Sequence, residues 1–444
     1  MPRRPAASAW EPWLGSGALL AALSSDDRLV ERMFERTGGM FRLWLPGAGK
    51  AVMLADPALV RDVCRAPADV IDAARANRVQ EPVIGRQGLA CLDGQEHRRL
   101  RQAMAPAVRE QVSLRLRATT ERLARRVADD CPIGVPFALE PRLHLALMEA
   151  ILSITLGLGP AAQRAWEGPL RELFRRAASY EISVRYLLRQ VGGLALWPSF
   201  HRSRNACDRL IHDEIARRRH PIEPDQADGG GDDLLGMLLR ARGDDGARLT
   251  DEVIRDQVMS MIAGARTTTA TGLTWAFERL VRHPEVMSRL VAESDKGAGD
   301  AYAGAVVYEA LRVRPPVAFF GRVVRRPFEL GGRVLSPGTT IVVHLRCLHH
   351  SPGLHPEPAA FRPERWLERR PGGYGWMPFG AGTHTCLGDQ LAIMQMKVFL
   401  QVFARTLDLS PARAADEPVR LMAISNTPGE GCRVVARRRA ATAG

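Results

Sequence analysis

Lysine is almost missing from this chain. It occurs at Lys50, Lys296 and Lys397, so nearly all of the 62 basic residues are arginine. Aromatic residues are also scarce, at 6%, which leaves Ala, Leu and Val to build the core. The seven cysteines are odd in number and no two stand at Cys-x-x-Cys spacing, which argues against a zinc cluster or a disulfide framework. The longest early apolar run, residues 17–23, falls far short of the ~20 residues that a membrane span needs. No secretory cleavage pattern follows it, so a cytoplasmic protein without a membrane span is expected. Basic residues outnumber the 49 acidic ones, for a net charge of +13. The arginines are spread along the chain with no nucleic-acid motif beside them, so no nucleic-acid partner is expected. A basic face that docks an acidic protein fits the balance better.

At 444 residues the chain is long for one domain. Its loosest stretch, residues 221–233 (PIEPDQADGGGDD), is too short to separate independent cores, and a helical pattern resumes after it. One large, mostly helical unit over residues 41–444, after an extension over 1–40, is expected. A hairpin is expected at 41–45 and 51–54, and a loop over 70–93. Helices follow from 97 to 219 with breaks, then a long one from Thr250 to His283 that is apolar on nearly every side in its middle. Such a helix belongs at the centre of a large domain. A helix over 300–313, β signals over 328–345, a helix over 387–407 and a last hairpin near 426–431 complete an α-rich α+β arrangement.

The run Phe379-Gly380-Ala381-Gly382-Thr383-His384-Thr385-Cys386-Leu387-Gly388 carries the most chemistry. Its glycines permit positive φ and close approach to a flat ligand. Cys386 stands where a helix begins, and unpaired N–H groups there lower a thiol's pKa. The pattern F-x-x-G-x-[RH]-x-C-x-G is met in full and resembles the haem-binding signature of the cytochrome P-450 family. Two further pieces are similar to that family: Glu309-Ala310-Leu311-Arg312, and Phe361-Arg362-Pro363-Glu364-Arg365-Trp366. The resemblance implies a structural set of Glu309, Arg312 and Arg365, and a triangular helical domain with small β-rich regions around a buried haem b. It makes Cys386 the iron ligand and offers His97, Arg101, Arg322 and His384 to the haem propionates.

Within the long helix, Ala263-Gly264-Ala265-Arg266-Thr267-Thr268 resembles the family's oxygen-side segment [AG]-G-x-[DE]-T-[TS]. That match assigns the proton-delivering threonine to Thr267, with Thr268 beside it, and puts Arg266 where an acid is usual. Three explanations of Arg266 stay open: a side chain turned away from the haem, an anchor for an anionic substrate group, or altered oxygen chemistry.

The resemblance implies a monooxygenase that oxidises a hydrophobic small molecule of terpene, polyketide or fatty-acid type, as in secondary metabolism. A monomer fed by a separate ferredoxin and ferredoxin reductase is expected. The alternatives are a hydrogen-peroxide-using peroxygenase whose carboxylate substrate Arg266 holds, and a non-catalytic haem-binding protein. Substrate contacts are expected from 70–93, Tyr180 to Phe200, the long helix, Val317 to Phe320 and the hairpin tip near Ile424.

Overall fold

The centre of the molecule is the helix Asp251–Leu280. Thr250 caps it by accepting from the Val253 N–H, and Asp251 and Glu252 lie in its positive first turn. One side of its C-terminal half (Ala270, Leu273, Ala276, Phe277) packs on Leu143, Ala146, Leu147 and Ala150 of the helix Glu140–Leu156. Its N-terminal half buries Ile254, Val258, Met259 and Ile262 in a second cluster. Each fully buried side chain of this size stabilises the fold by about 1.5–3 kcal/mol. The computed structural model describes residues 27–439 apart from 46–48, 109, 178–197, 220–230, 244–245, 298, 370–372 and 423–424.

A five-stranded sheet lies to one side. Its order is Met40–Leu45, Gly49–Leu54, Thr340–His344, Phe319–Val324, Ile71–Asp72, and the pairing of Gly49–Leu54 with Thr340–His344 is parallel. Alternation along the strands buries both faces. Val52, Leu54, Ile341 and Val343 enter one core cluster, while Ala51, Met53 and Val342 enter another. The helix Asp27–Thr37 covers the second face through Val30 and Phe34, whose ring lies 4.8 Å from that of Phe41.

Glu309, Arg312 and Arg365 meet in the interior. Glu309 accepts from Arg312 Nε and Nη2 at 2.8 Å and from Arg365 Nε at 3.1 Å. Trp366 Nε1 and the Arg362 backbone N–H complete its shell at 2.8 and 2.9 Å. Arg312 also donates to the carbonyls of His349, Pro358 and Ala360. This network ties the helix Ala301–Val313 to the irregular stretch that leads into the cysteine loop.

One expectation needed correction. Residues 70–93 are no continuous loop: they form the short strand Ile71–Asp72, the helices Ala73–Asn77 and Glu81–Ile84, and tight turns. Each piece is too short to show a helical period. A helix over Pro284–Lys296 and the strand Phe319–Val324 were not anticipated either.

Candidate active site

The cysteine loop is shaped by its glycines. Gly380 and Gly382 hold φ of +72° and +76°, where a side chain is strained. A Cβ on Gly382 would also stand 2.8 Å from the Cys64 carbonyl oxygen. The Cys386 N–H donates to the Phe379 carbonyl at 2.9 Å and closes the loop. From behind, Trp376 packs on Phe379 and donates to the Tyr308 carbonyl, while the Met377 N–H donates to His349 Nε2.

Cys386 is the one exposed cysteine of the seven, and what it is exposed to is a cavity of about 890 Å³. Burial pushes its thiol up, and the Gly388 N–H works against that rise. This differs from the expected helix-terminus effect, because the helix Asp389–Thr406 begins three residues later. A bound metal removes the proton from a coordinating thiol regardless.

The central helix presents Ser260, Met261, Gly264, Ala265, Thr268 and Thr269 to the same cavity as Cys386. The spacing of four marks one helix face. The Thr268 hydroxyl donates to the Gly264 carbonyl at 2.6 Å. Thr267, Ala263 and Arg266 do not line this wall. The cavity-facing set within this stretch therefore begins one residue later than the segment Ala263 to Thr268. Of Gly264-Ala265-Arg266-Thr267-Thr268-Thr269, it is Gly264, Ala265, Thr268 and Thr269 that face the cavity, so Thr268 and not Thr267 stands on the wall. Arg266 turns the other way, its guanidinium 4.8 Å from the Phe174 ring. Burial pushes its pKa down to about 10, and its Nε has no hydrogen-bond partner.

At one end of the cavity the His97 and His384 rings stack at 4.2 Å, and Arg101 lines the same space. His384 Nε2 lies 2.7 Å from Asp93 Oδ1, so its ring N–H donates to the carboxylate. Asp93 Oδ2 accepts from the Ala74 N–H at 3.0 Å. Burial works to raise the Asp93 carboxyl, but these two hydrogen bonds outweigh it and hold it well below the usual range. Burial, with His384 and Arg101 nearby, lowers His97 to about 4 and leaves it neutral near pH 7. Arg322 is buried just behind the wall, over the Phe320 ring and bonded to the Gly321 and Ala381 carbonyls.

Ile84, Leu89, Met104, Val317 and Phe320 supply apolar sides. Phe200 is packed in the core away from the cavity. The rest of the Tyr180 to Phe200 stretch, along with Ile424, lies outside the described residues apart from 198–199. Asp93 was not anticipated. It precedes a helix, where a cap is the ordinary reading, yet it makes no cap bond and serves His384 instead.

These residues fit a haem. A thiol faces the cavity, left-handed glycines let the loop pass close to a flat ring, and imidazole and guanidinium groups gather at one end. Site and fold together define a haem-thiolate protein. The Cytochrome P-450 family model matches residues 5–431. The Mycobacterium tuberculosis protein designated cytochrome P-450 137 is 31% identical over 436 residues, covering 98% of this chain and 90% of that one. Another from the same organism, cytochrome P-450 138, is 32% identical over 424 residues, covering 95% and 94%. The crystal structure of the cytochrome P-450DA haem domain superposes with a TM-score of 0.80 at 21% identity, covering 97% of each chain. The chain belongs to the cytochrome P-450 family, and its fold is that family's. It is accordingly a haem monooxygenase, with haem b as cofactor. No single helix among the described residues is long and apolar enough to cross a membrane.

Proposed function

We propose that this enzyme oxidises a hydrophobic small molecule with dioxygen, using electrons from a separate small acidic ferredoxin and its reductase. The observation that carries this reading is the cavity itself, lined together by the Cys386 thiol, by Thr268 and Gly264, and by apolar side chains. Haem held there supplies oxygen activation, with the thiolate pushing electron density toward iron. Cys386 would give its sulfur to the iron, and Arg101, Arg322, His97 and His384 would meet the propionates. Ile84, Leu89, Val317 and Phe320 orient substrate and exclude water. Thr268 offers its hydroxyl to relay protons, drawing on water because the wall holds no carboxylate among the described residues.

The peroxygenase alternative needs Arg266 to reach a substrate carboxylate. Arg266 lies against Phe174 and outside the wall, so no observation favours that reading. Exposed Arg98 beside the propionate end and the net charge of +13 support an acidic electron donor.

Turnover of a panel of terpenes, macrolactones and long-chain acids with ferredoxin, reductase and isotopically heavy dioxygen tests this reading. Products carrying the heavy atom only when the redox proteins are present are expected. Equal product from hydrogen peroxide alone would contradict it.

A further inference from the structure

Two arginines of the cavity wall have no task in the account so far. Arg75, in the helix Ala73–Asn77, and Arg78, in the next turn, both line the cavity and both are exposed. Three residues apart on consecutive helical turns, they share one side. Neither guanidinium has an ion-pair or hydrogen-bond partner among the described residues. The nearby acids are all engaged elsewhere. Asp72 pairs with Arg325 at 2.6 Å and caps the Arg75 backbone N–H. Glu81 pairs with Arg86 at 2.9 Å, and Asp93 is taken by His384 and Ala74. No Asp or Glu lines the cavity among the described residues, so nothing on the wall neutralises the pair.

Haem would bring carboxylates of its own, but Arg101 on the wall and buried Arg322 beside it would supply one cation for each propionate. Arg75 and Arg78 are in surplus to that balance. From them an apolar path of Ile84, Leu89, Val317 and Phe320 shares the cavity with Cys386. A guanidinium fork matches a carboxylate in shape and charge, and two forks on one side hold it in a fixed direction.

We propose that Arg75 and Arg78 form an anion-binding rim that takes the carboxylate of an amphipathic substrate while its apolar body extends toward Cys386. This rests on the monooxygenase reading and narrows its substrate to hydrophobic monocarboxylates.

The test uses the haem-loaded full chain, the double variant R75A/R78A and the conservative pair R75K/R78K. Binding of dodecanoic acid and abietic acid is compared with that of their methyl esters by calorimetry, which needs no haem signal. Haem content and the reduced, carbon monoxide-bound spectrum are read in parallel. Wild type is expected to bind at least one acid about tenfold or more tightly than its ester, with a preference that weakens as salt is raised. R75A/R78A is expected to lose that preference with haem content and spectrum unchanged, and R75K/R78K to keep part of it. Absence of any acid preference in wild type overturns the proposal, as does equal loss of acid and ester binding in R75A/R78A. Haem loss in R75A/R78A would overturn it too, by making the pair a propionate site. A wild type without the thiolate spectrum would sink the proposed function instead, and the calorimetric preference would still be measured.

Discussion

The Thr268 hydroxyl bonds at 2.6 Å to the Gly264 carbonyl one turn back, and both residues face the cavity that contains Cys386. A helical threonine bonded in this way loosens and bends its helix. Thr268→Ala is expected to cut coupled product formation by about a hundredfold, the low end of what a positioned proton donor contributes. Peroxide release should rise in step, because oxygen chemistry without timely protons fails unproductively. Thr267→Ala should change both by much less. Measuring product and peroxide per electron consumed separates the two threonines, and the opposite ranking would assign the role to Thr267.

The one-residue offset between the motif match and the cavity-facing residues has a physical origin. Thr267, Thr268 and Thr269 are adjacent, so matching the motif by letters allows two registers, and the Ala263-Gly264 pair draws the choice one residue early. Only the direction of the helix face decides, and that follows from packing against the helix Glu140–Leu156. The cysteine loop was legible because its parts are contiguous and each glycine has a local reason. Asp93 was not, because its partner His384 is 291 positions away. The Glu309–Arg312 pair could be read from its spacing, whereas Trp366 as a further donor to Glu309 emerged only in three dimensions.

Glu309 and Arg312 are fully buried, and each satisfies the other. Removing Arg312 takes two of the five hydrogen bonds from a buried carboxylate and leaves it Arg365 as the one remaining cation among the described residues. Arg312→Ala is expected to cost about 3–5 kcal/mol. Denaturant unfolding of haem-loaded protein checks this, and so does the yield of folded protein where the variant is too unstable to purify. A loss under about 1 kcal/mol, the value of an exposed pair, would contradict the burial assigned here.

Acid should destabilise the fold before carboxylates titrate. Burial depresses His344 to about 4 and His349 to about 3, while an unfolded histidine titrates near 6.5. Between these limits the unfolded chain binds more protons than the folded one, so stability rises with pH there and is lost as pH falls below about 6.5. Each group contributes roughly 2 kcal/mol of that loss by pH 5. Melting temperatures taken from pH 8 to pH 5 should stay level down to neutrality and then fall. Replacing His344 with Gln should flatten the slope, and an unchanged slope would count against its burial as a neutral ring.

Gly382→Ala tests the loop geometry. The added Cβ meets a backbone oxygen at 2.8 Å in a left-handed conformation. Strain of about 1–3 kcal/mol is expected, expressed as lower haem retention after gel filtration. Gly353→Ala, where a Cβ has room and the φ is ordinary, should retain haem like wild type.

The central claim is that Cys386 is the thiolate ligand of a haem in this cavity. The most direct measurement is the absorption spectrum of the reduced, carbon monoxide-bound protein, taken for wild type and for Cys386→His. Wild type is expected to give the red-shifted Soret band of thiolate ligation, and Cys386→His to bind haem without it. A wild type that binds haem but lacks that band, or a Cys386→His variant that keeps it, would contradict the account.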